Sequence, residues 1–129
     1  MHELTIERFL HVAHALRLHD GELEPMHSHR WQVLVQVSVE RLDPIGVVMD
    51  FYELDRRVAG VLAEFEGKVL NQLPAFAAEA CSSERMAEVI FGRLLPELPA
   101  PVRLDCVTLV RDEAIRARFS YRRAAPRSP

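Results

Sequence analysis

From Trp31 onward the chain alternates with period two: Trp31, Val33, Val35, Val37 and Val39 on one parity, and Gln32, Leu34, Gln36, Ser38 and Glu40 on the other. Alternation of this kind predicts a strand with one buried and one largely polar face, here over about residues 28–40. Followed back toward its start, the apolar face opens with His27 and His29. A second alternating stretch holds Leu4, Ile6, Leu10, Val12 and His14 on one parity, with Arg8 as the interruption, and predicts a first strand over 4–14. If the two strands pair, His14 comes to the end where His27 begins. The connection from Leu16 to Met26 contains Asp20-Gly21 and Pro25, so a loop or broken hairpin is expected.

The period then changes. Phe51, Leu54, Val58, Val61, Leu62 and Phe65 recur at helical spacing, predicting a helix from Asp50 to about Glu66. Asp50 is its expected cap, Glu53 a capping-box partner and Gly67 its stop. Leu70 to Cys81, with Pro74, reads as a loop with at most one turn. Ser82 caps a second helix whose stripe is Met86, Ile90, Phe91, Leu94 and Leu95, ended by Pro96. Two more alternating stretches follow, around residues 104–111 and 115–121, joined by a turn at Asp112-Glu113. The order is ββααββ. It predicts an α+β domain over 1–121: a four-stranded antiparallel sheet with two helices on one face. The tail 122–129 is expected to be disordered.

Composition narrows the class without naming a function. A chain of 129 residues is one ordinary domain, and a net charge of −3 gives no reason to expect nucleic acid or an anionic membrane as partner. No apolar run is long enough to span a bilayer, and Met1 to Thr5 lacks the basic and apolar parts of a signal peptide. Cys81 and Cys106 have no metal-ligand spacing and make no disulfide framework. The expected compartment is the reducing cytoplasm.

The candidate chemistry is a metal site. His27 and His29 project together from a strand, and His14 ends the neighbouring one. Three neutral imidazoles with an open fourth position form a catalytic zinc arrangement. A lone histidine is more often simply packed or solvent-facing; His-x-His with a third histidine across the sheet is a stronger signal. His11 has the other parity, and His2 and His19 fall outside the constellation.

Over roughly residues 8–121 the chain resembles the 6-pyruvoyl-tetrahydropterin synthase and 6-carboxytetrahydropterin synthase family. The resemblance is carried by Val12-Ala13-His14, Met26-His27-Ser28-His29, and Gly46-Val47-Val48-Met49-Asp50-Phe51 with Glu53-Leu54. Val69-Leu70-Asn71, Ser82-Ser83-Glu84 and Val110-Arg111-Asp112 add to it. Ser28 departs slightly from the family's His-Gly-His. The resemblance implies a T-fold, in which subunits join their sheets into a barrel, as a trimer-based homo-oligomer that could reach a hexamer. It implies Zn²⁺ held by His14, His27 and His29. It further implies a pterin-like or 7-deazapurine-precursor substrate bound between subunits and anchored by an acid at the end of the third long strand. Asp112 offers that acid, with Glu113 adjacent, and Ser82 is a further candidate for substrate contact.

The departures fall on the proton-transfer groups. The family's cysteine, four residues before the His-x-His pair, is replaced by Leu23, and its Asp-His pair by Glu66 and Gly67. Neither Leu23 nor Gly67 can act as a base. Glu24, three residues before His27, and Glu66 are the carboxylates left to substitute. One branch of the family uses a glutamate near the missing cysteine and cleaves the pterin side chain. The expected activity is therefore a zinc-dependent lyase with altered catalytic groups. Two other readings stay open: the same scaffold turned to a non-pterin substrate, and an inactive zinc- or ligand-binding homologue.

Overall fold

The long strand pair forms as its alternation predicts. In the computed structural model, which describes residues 1–77, 80–112 and 114–121, β1 is His2–His14 and β2 is His27–Val39. Glu113 and the tail 122–129 lie outside the described residues. The two strands pair antiparallel without interruption from His2↔Val39 to His14↔His27. Trp31, Val33, Val35 and Val37 are fully buried, as is Leu10 across from Trp31. Arg8, the polar break in the apolar parity of β1, reaches Asp55 through two contacts, Nε–Oδ1 at 2.8 Å and a second guanidinium nitrogen to Oδ2 at 3.1 Å. Both side chains are over a third exposed, so the pair adds little stability; it lets a charged residue occupy a core-facing register.

The first helix, α1, is Phe51–Leu62, shorter than the apolar spacing suggests. Asp50 caps it by accepting from the Tyr52 amide. Its buried stripe is Leu54, Val58, Val61 and Leu62, with Phe65 buried in the turns that follow. Phe51 is half exposed and its ring packs on Tyr52, so it does not belong to the stripe. Glu53 is taken by Arg57 one turn later at 2.7 Å, an ion pair that competes with the expected capping box. Gly67 ends the excursion at φ +72°, and its amide donates to the His11 carbonyl. That turn brings β3, Lys68–Val69, parallel to β1.

Residues 70–76 form two short 3₁₀ turns, Leu70–Gln72 and Pro74–Phe76. The second helix, α2, is Ser83–Leu94, capped by Ser82, whose hydroxyl accepts from the Arg85 amide. Leu95 falls in a 3₁₀ turn beyond the helix and is 44 % exposed, outside the predicted stripe. The strands β4, Arg103–Asp112, and β5, Ile115–Phe119, complete the sheet. Its order is β3-β1-β2-β4-β5. The α+β layer expected from the sequence is therefore present, with a fifth, two-residue strand added at one edge. The core lies between the helices and one sheet face, with Val107 and Leu109 contributed by β4. Among the described residues no helix is long and apolar enough to cross a membrane.

Candidate metal centre

The uninterrupted β1–β2 register decides what happens to the histidines. His14 lies directly opposite His27, and His29 opposite Val12, so the three imidazoles meet on the helix-facing side of one sheet end. Ring centroids are 4.8 Å apart for His14–His27, 4.9 Å for His14–His29 and 4.5 Å for His27–His29. One nitrogen from each falls within 4.8 Å of the others. Trp31 walls the cluster, stacked on His29 and edge-on to His14.

Hydrogen bonds to the other ring nitrogens orient two of the three. His14 Nδ1 lies 2.7 Å from the Cys81 carbonyl and His27 Nδ1 lies 2.9 Å from the Pro25 carbonyl. A carbonyl only accepts, so each Nδ1 is the protonated nitrogen and each Nε2 keeps its lone pair. The Nε2 atoms of His14 and His29 are buried without a hydrogen-bond partner. Leaving such groups unpaired costs about 1–3 kcal/mol each, which a bound cation would offset. Burial, then the positive charge of Arg111 and the neighbouring imidazoles, lowers His29 to about 4. Burial likewise lowers His14, against the raising effect of its bond to Cys81. Neutral imidazoles at neutral pH are what a divalent metal requires. The donor set fits zinc, which takes three histidines and leaves a fourth position open.

The shell around the triad is built from the flanking loops. Asn71 accepts from the Ala15 amide at 2.9 Å and donates to the Ala15 carbonyl at 2.8 Å, fixing the chain immediately after His14. Glu24 Oε1 accepts from the Leu16 amide at 2.7 Å and lies 3.7 Å from His27 Nε2. The loop that carries Glu24 is a miniature hairpin, with Arg17 bridged to Leu23 and a turn at Gly21. A cavity of about 330 Å³ borders it, lined by Ala15, Leu16, Leu23, Asn71 and Cys81 among others. Cys81 is buried, its thiol pushed up by desolvation and directed at the Ala15 carbonyl; Cys106 is buried in β4. Cys81 therefore serves the site through its carbonyl, not through a thiolate.

The remaining candidates are distributed differently. Glu66 grips His11: one oxygen accepts from the His11 amide at 3.0 Å and the other lies 2.8 Å from Nδ1. These contacts hold Glu66 in its charged form. His11 has the opposite parity to His14, so this pair lies on the sheet face turned away from the helices. Asp112 ends β4 and, with Phe9, Arg30, Gln32, Arg111 and Arg116, lines an open cleft of about 760 Å³. Its charge opposes that of Arg111 at His29. Ser82 adjoins Cys81 but its hydroxyl is engaged as the α2 cap. Sequence reasoning singled out Glu24, Glu66, Asp112 and Ser82, with Glu113 outside the described residues; it missed the carbonyls of Pro25 and Cys81, the clamp made by Asn71 and the contact of His11 with Glu66.

The sequence pattern of the family described as 6-pyruvoyl tetrahydropterin synthase matches residues 3–124. The chain belongs to this family. A curated relative, the dihydroneopterin monophosphate aldolase of Pyrococcus furiosus, is 32% identical over 98 residues, 76% of this chain and 79% of that protein. Among solved structures, the Caenorhabditis elegans 6-pyruvoyl tetrahydropterin synthase superposes with a TM-score of 0.78 at 22% identity, covering 95% of this chain and 98% of its own. The Plasmodium vivax synthase superposes at 0.74 and 17%, covering 92% and 96%. At those identities the structural matches establish the fold, which is the T-fold that the family resemblance implies.

Proposed function

We propose that this chain is a zinc-dependent lyase that cleaves the side chain of a dihydropterin by a retro-aldol step. The observation that carries the reading is the convergence of three imidazoles, two with orphaned Nε2 atoms, beside the Glu24 carboxylate. The kinship with a dihydroneopterin monophosphate aldolase supplies the reaction class. A structure of the P. vivax synthase altered at a glutamate named as its catalytic residue supports giving the base role to a glutamate.

His14, His27 and His29 would hold the zinc, which when bound supplies a Lewis acid to side-chain oxygens. Glu24 takes the proton from the hydroxyl on the outer of the two carbons whose bond breaks. That oxygen becomes a carbonyl and leaves as an aldehyde. The electron pair of the broken bond is delocalised into the ring's conjugated C=N and quenched by a proton on the inner carbon. Atoms balance without an oxidant or a second substrate. Leu16 holds Glu24 in place through its amide, and the buried Trp31 packs against His14 and His29 on the core side of the centre. Glu66 is the carboxylate that holds His11 and is not assigned the base. The chain works as a trimer-based homo-oligomer joined through the sheet edges at β3 and β5.

The test is direct. Zinc-loaded protein is incubated with dihydroneopterin monophosphate, and the hydroxymethyl pterin and the released aldehyde are quantified together. Equal amounts of both are expected. A hydroxymethyl product without the aldehyde, or no turnover with zinc present, overturns the reading.

A further inference from the structure

On the sheet face turned away from the helices, one end carries side chains that the metal centre does not use. Glu66 and Gly67 clamp His11 at three points. The two Glu66 oxygens take the His11 amide at 3.0 Å and Nδ1 at 2.8 Å, and the Gly67 amide donates to the His11 carbonyl at 2.7 Å. An ionised carboxylate only accepts, so Nδ1 carries the proton and Nε2 of the neutral ring keeps its lone pair. Both side chains are about half exposed, so the clamp fixes a ring that small molecules can reach. Ser28 shares this face. It pairs with Ala13, two residues beyond His11, whose own partner is Arg30. Side chains in such a diagonal relation have Cβ atoms roughly 7 Å apart, a span that a histidine ring covers. Among the described residues the Ser28 hydroxyl has no hydrogen-bond partner. A cavity of about 360 Å³ is lined by His11, Ser28, Arg30, Gly67 and Lys68 among others. One cavity therefore gathers a hydroxyl, an imidazole oriented by a carboxylate, and two cationic side chains.

We propose that Ser28, His11 and Glu66 form a second, metal-independent site that hydrolyses small carboxylic esters through an acyl-serine. His11 Nε2 takes the Ser28 hydroxyl proton as Oγ bonds to the ester carbonyl carbon. The carbonyl electron pair moves to its oxygen, where Lys68 and Arg30 balance the negative charge. As that pair returns, the bond to the alcohol oxygen breaks, and the alcohol leaves with the proton from His11. Water then gives a proton to His11 and attacks the acyl carbon, releasing the acid and returning the proton to Ser28. One ester and one water become one acid and one alcohol. Glu66 touches no reacting atom; it is a positioning residue that fixes the tautomer and orientation of His11. The site uses none of the residues assigned to the pterin-cleaving reaction, so either reading can fail without the other.

A zinc centre can hydrolyse esters by itself, so the experiment reads the covalent adduct as well as turnover. The full chain, zinc-loaded and chelator-treated, is exposed to a fluorophosphonate, and adducts are mapped by peptide mass spectrometry. Both forms should carry the adduct on Ser28, and the chelator-treated form should still release p-nitrophenol from p-nitrophenyl acetate. His11→Gln should slow both readouts about 10²–10⁴-fold. Glu66→Gln should slow them as well, and Glu66→Asp should recover part of the rate. Ser28→Ala, checked for folding by melting temperature and zinc content, should carry no adduct. Should that variant fail to fold, His11→Gln decides alone. A parent protein without an adduct on Ser28, labelling that disappears with the zinc, or a His11→Gln rate equal to the parent's overturns the site. Equal rates for Glu66→Gln and the parent would remove Glu66 from it and overturn the triad.

Discussion

His14 Nδ1 donates to the Cys81 carbonyl across 2.7 Å, joining the end of β1 to the residue that precedes the α2 cap. The bond fixes both the tautomer and the ring orientation of the most buried imidazole in the centre. Because it uses a backbone atom, the Cys81 side chain is dispensable for it. Cys81→Ser is expected to keep stoichiometric zinc and turnover within a few-fold of the parent, measured by metal analysis and steady-state assay. Loss of turnover with zinc retained would reinstate a thiol in the mechanism.

Glu24 makes a sharper test of proton transfer. Its Oε1 accepts from the Leu16 amide, and a glutamine side chain can accept there equally well. Glu24→Gln should therefore fold and bind zinc normally while losing about 10²–10⁴-fold in kcat. A Glu24→Gln enzyme of unchanged kcat would remove Glu24 from the reaction.

The metal-free protein should be sensitive to acid. His29 is lowered to about 4 from 6.5 and His14 is lowered as well, both chiefly by burial. Between those values the unfolded chain binds protons that the folded chain does not. Stability is therefore complete above the ordinary histidine range and declines as the pH falls toward 4, with His29 alone contributing of order 3 kcal/mol. Melting of chelator-treated protein across this range should show the decline, and zinc-loaded protein should resist it until acid displaces the metal. A flat profile for the metal-free protein would contradict the burial of these rings.

Asn71 tests the link between scaffold and centre. Its two bonds to Ala15 hold the turn that follows His14. Asn71→Ala should cost about 1–3 kcal/mol by denaturant unfolding and weaken zinc binding through the misplaced imidazole. Unfolding that is destabilised with zinc affinity untouched would make Asn71 structural only.

The parts legible in the sequence were those written in side-chain periodicity. Trp31 to Val39 and Leu4 to His14 announced two strands, and the same parity placed three histidines on one face. What escaped was set by backbone atoms or by tertiary contact. The Pro25 and Cys81 carbonyls carry no residue signature, and the two-residue β3 exists only because the Gly67 turn lays it beside β1. Glu53 could not reveal that Arg57 would claim it. Phe51 matched the helical spacing, yet it stands at the first helical residue, where its ring packs on Tyr52 in solvent.

The central claim is that His14, His27 and His29 form one metal centre, and metal stoichiometry tests it most directly. Protein purified with zinc and dialysed free of excess should retain one zinc per chain, and His29→Ala should lose it while remaining folded. A parent protein that retains no zinc, or a His29→Ala protein that retains it undiminished, would contradict the account.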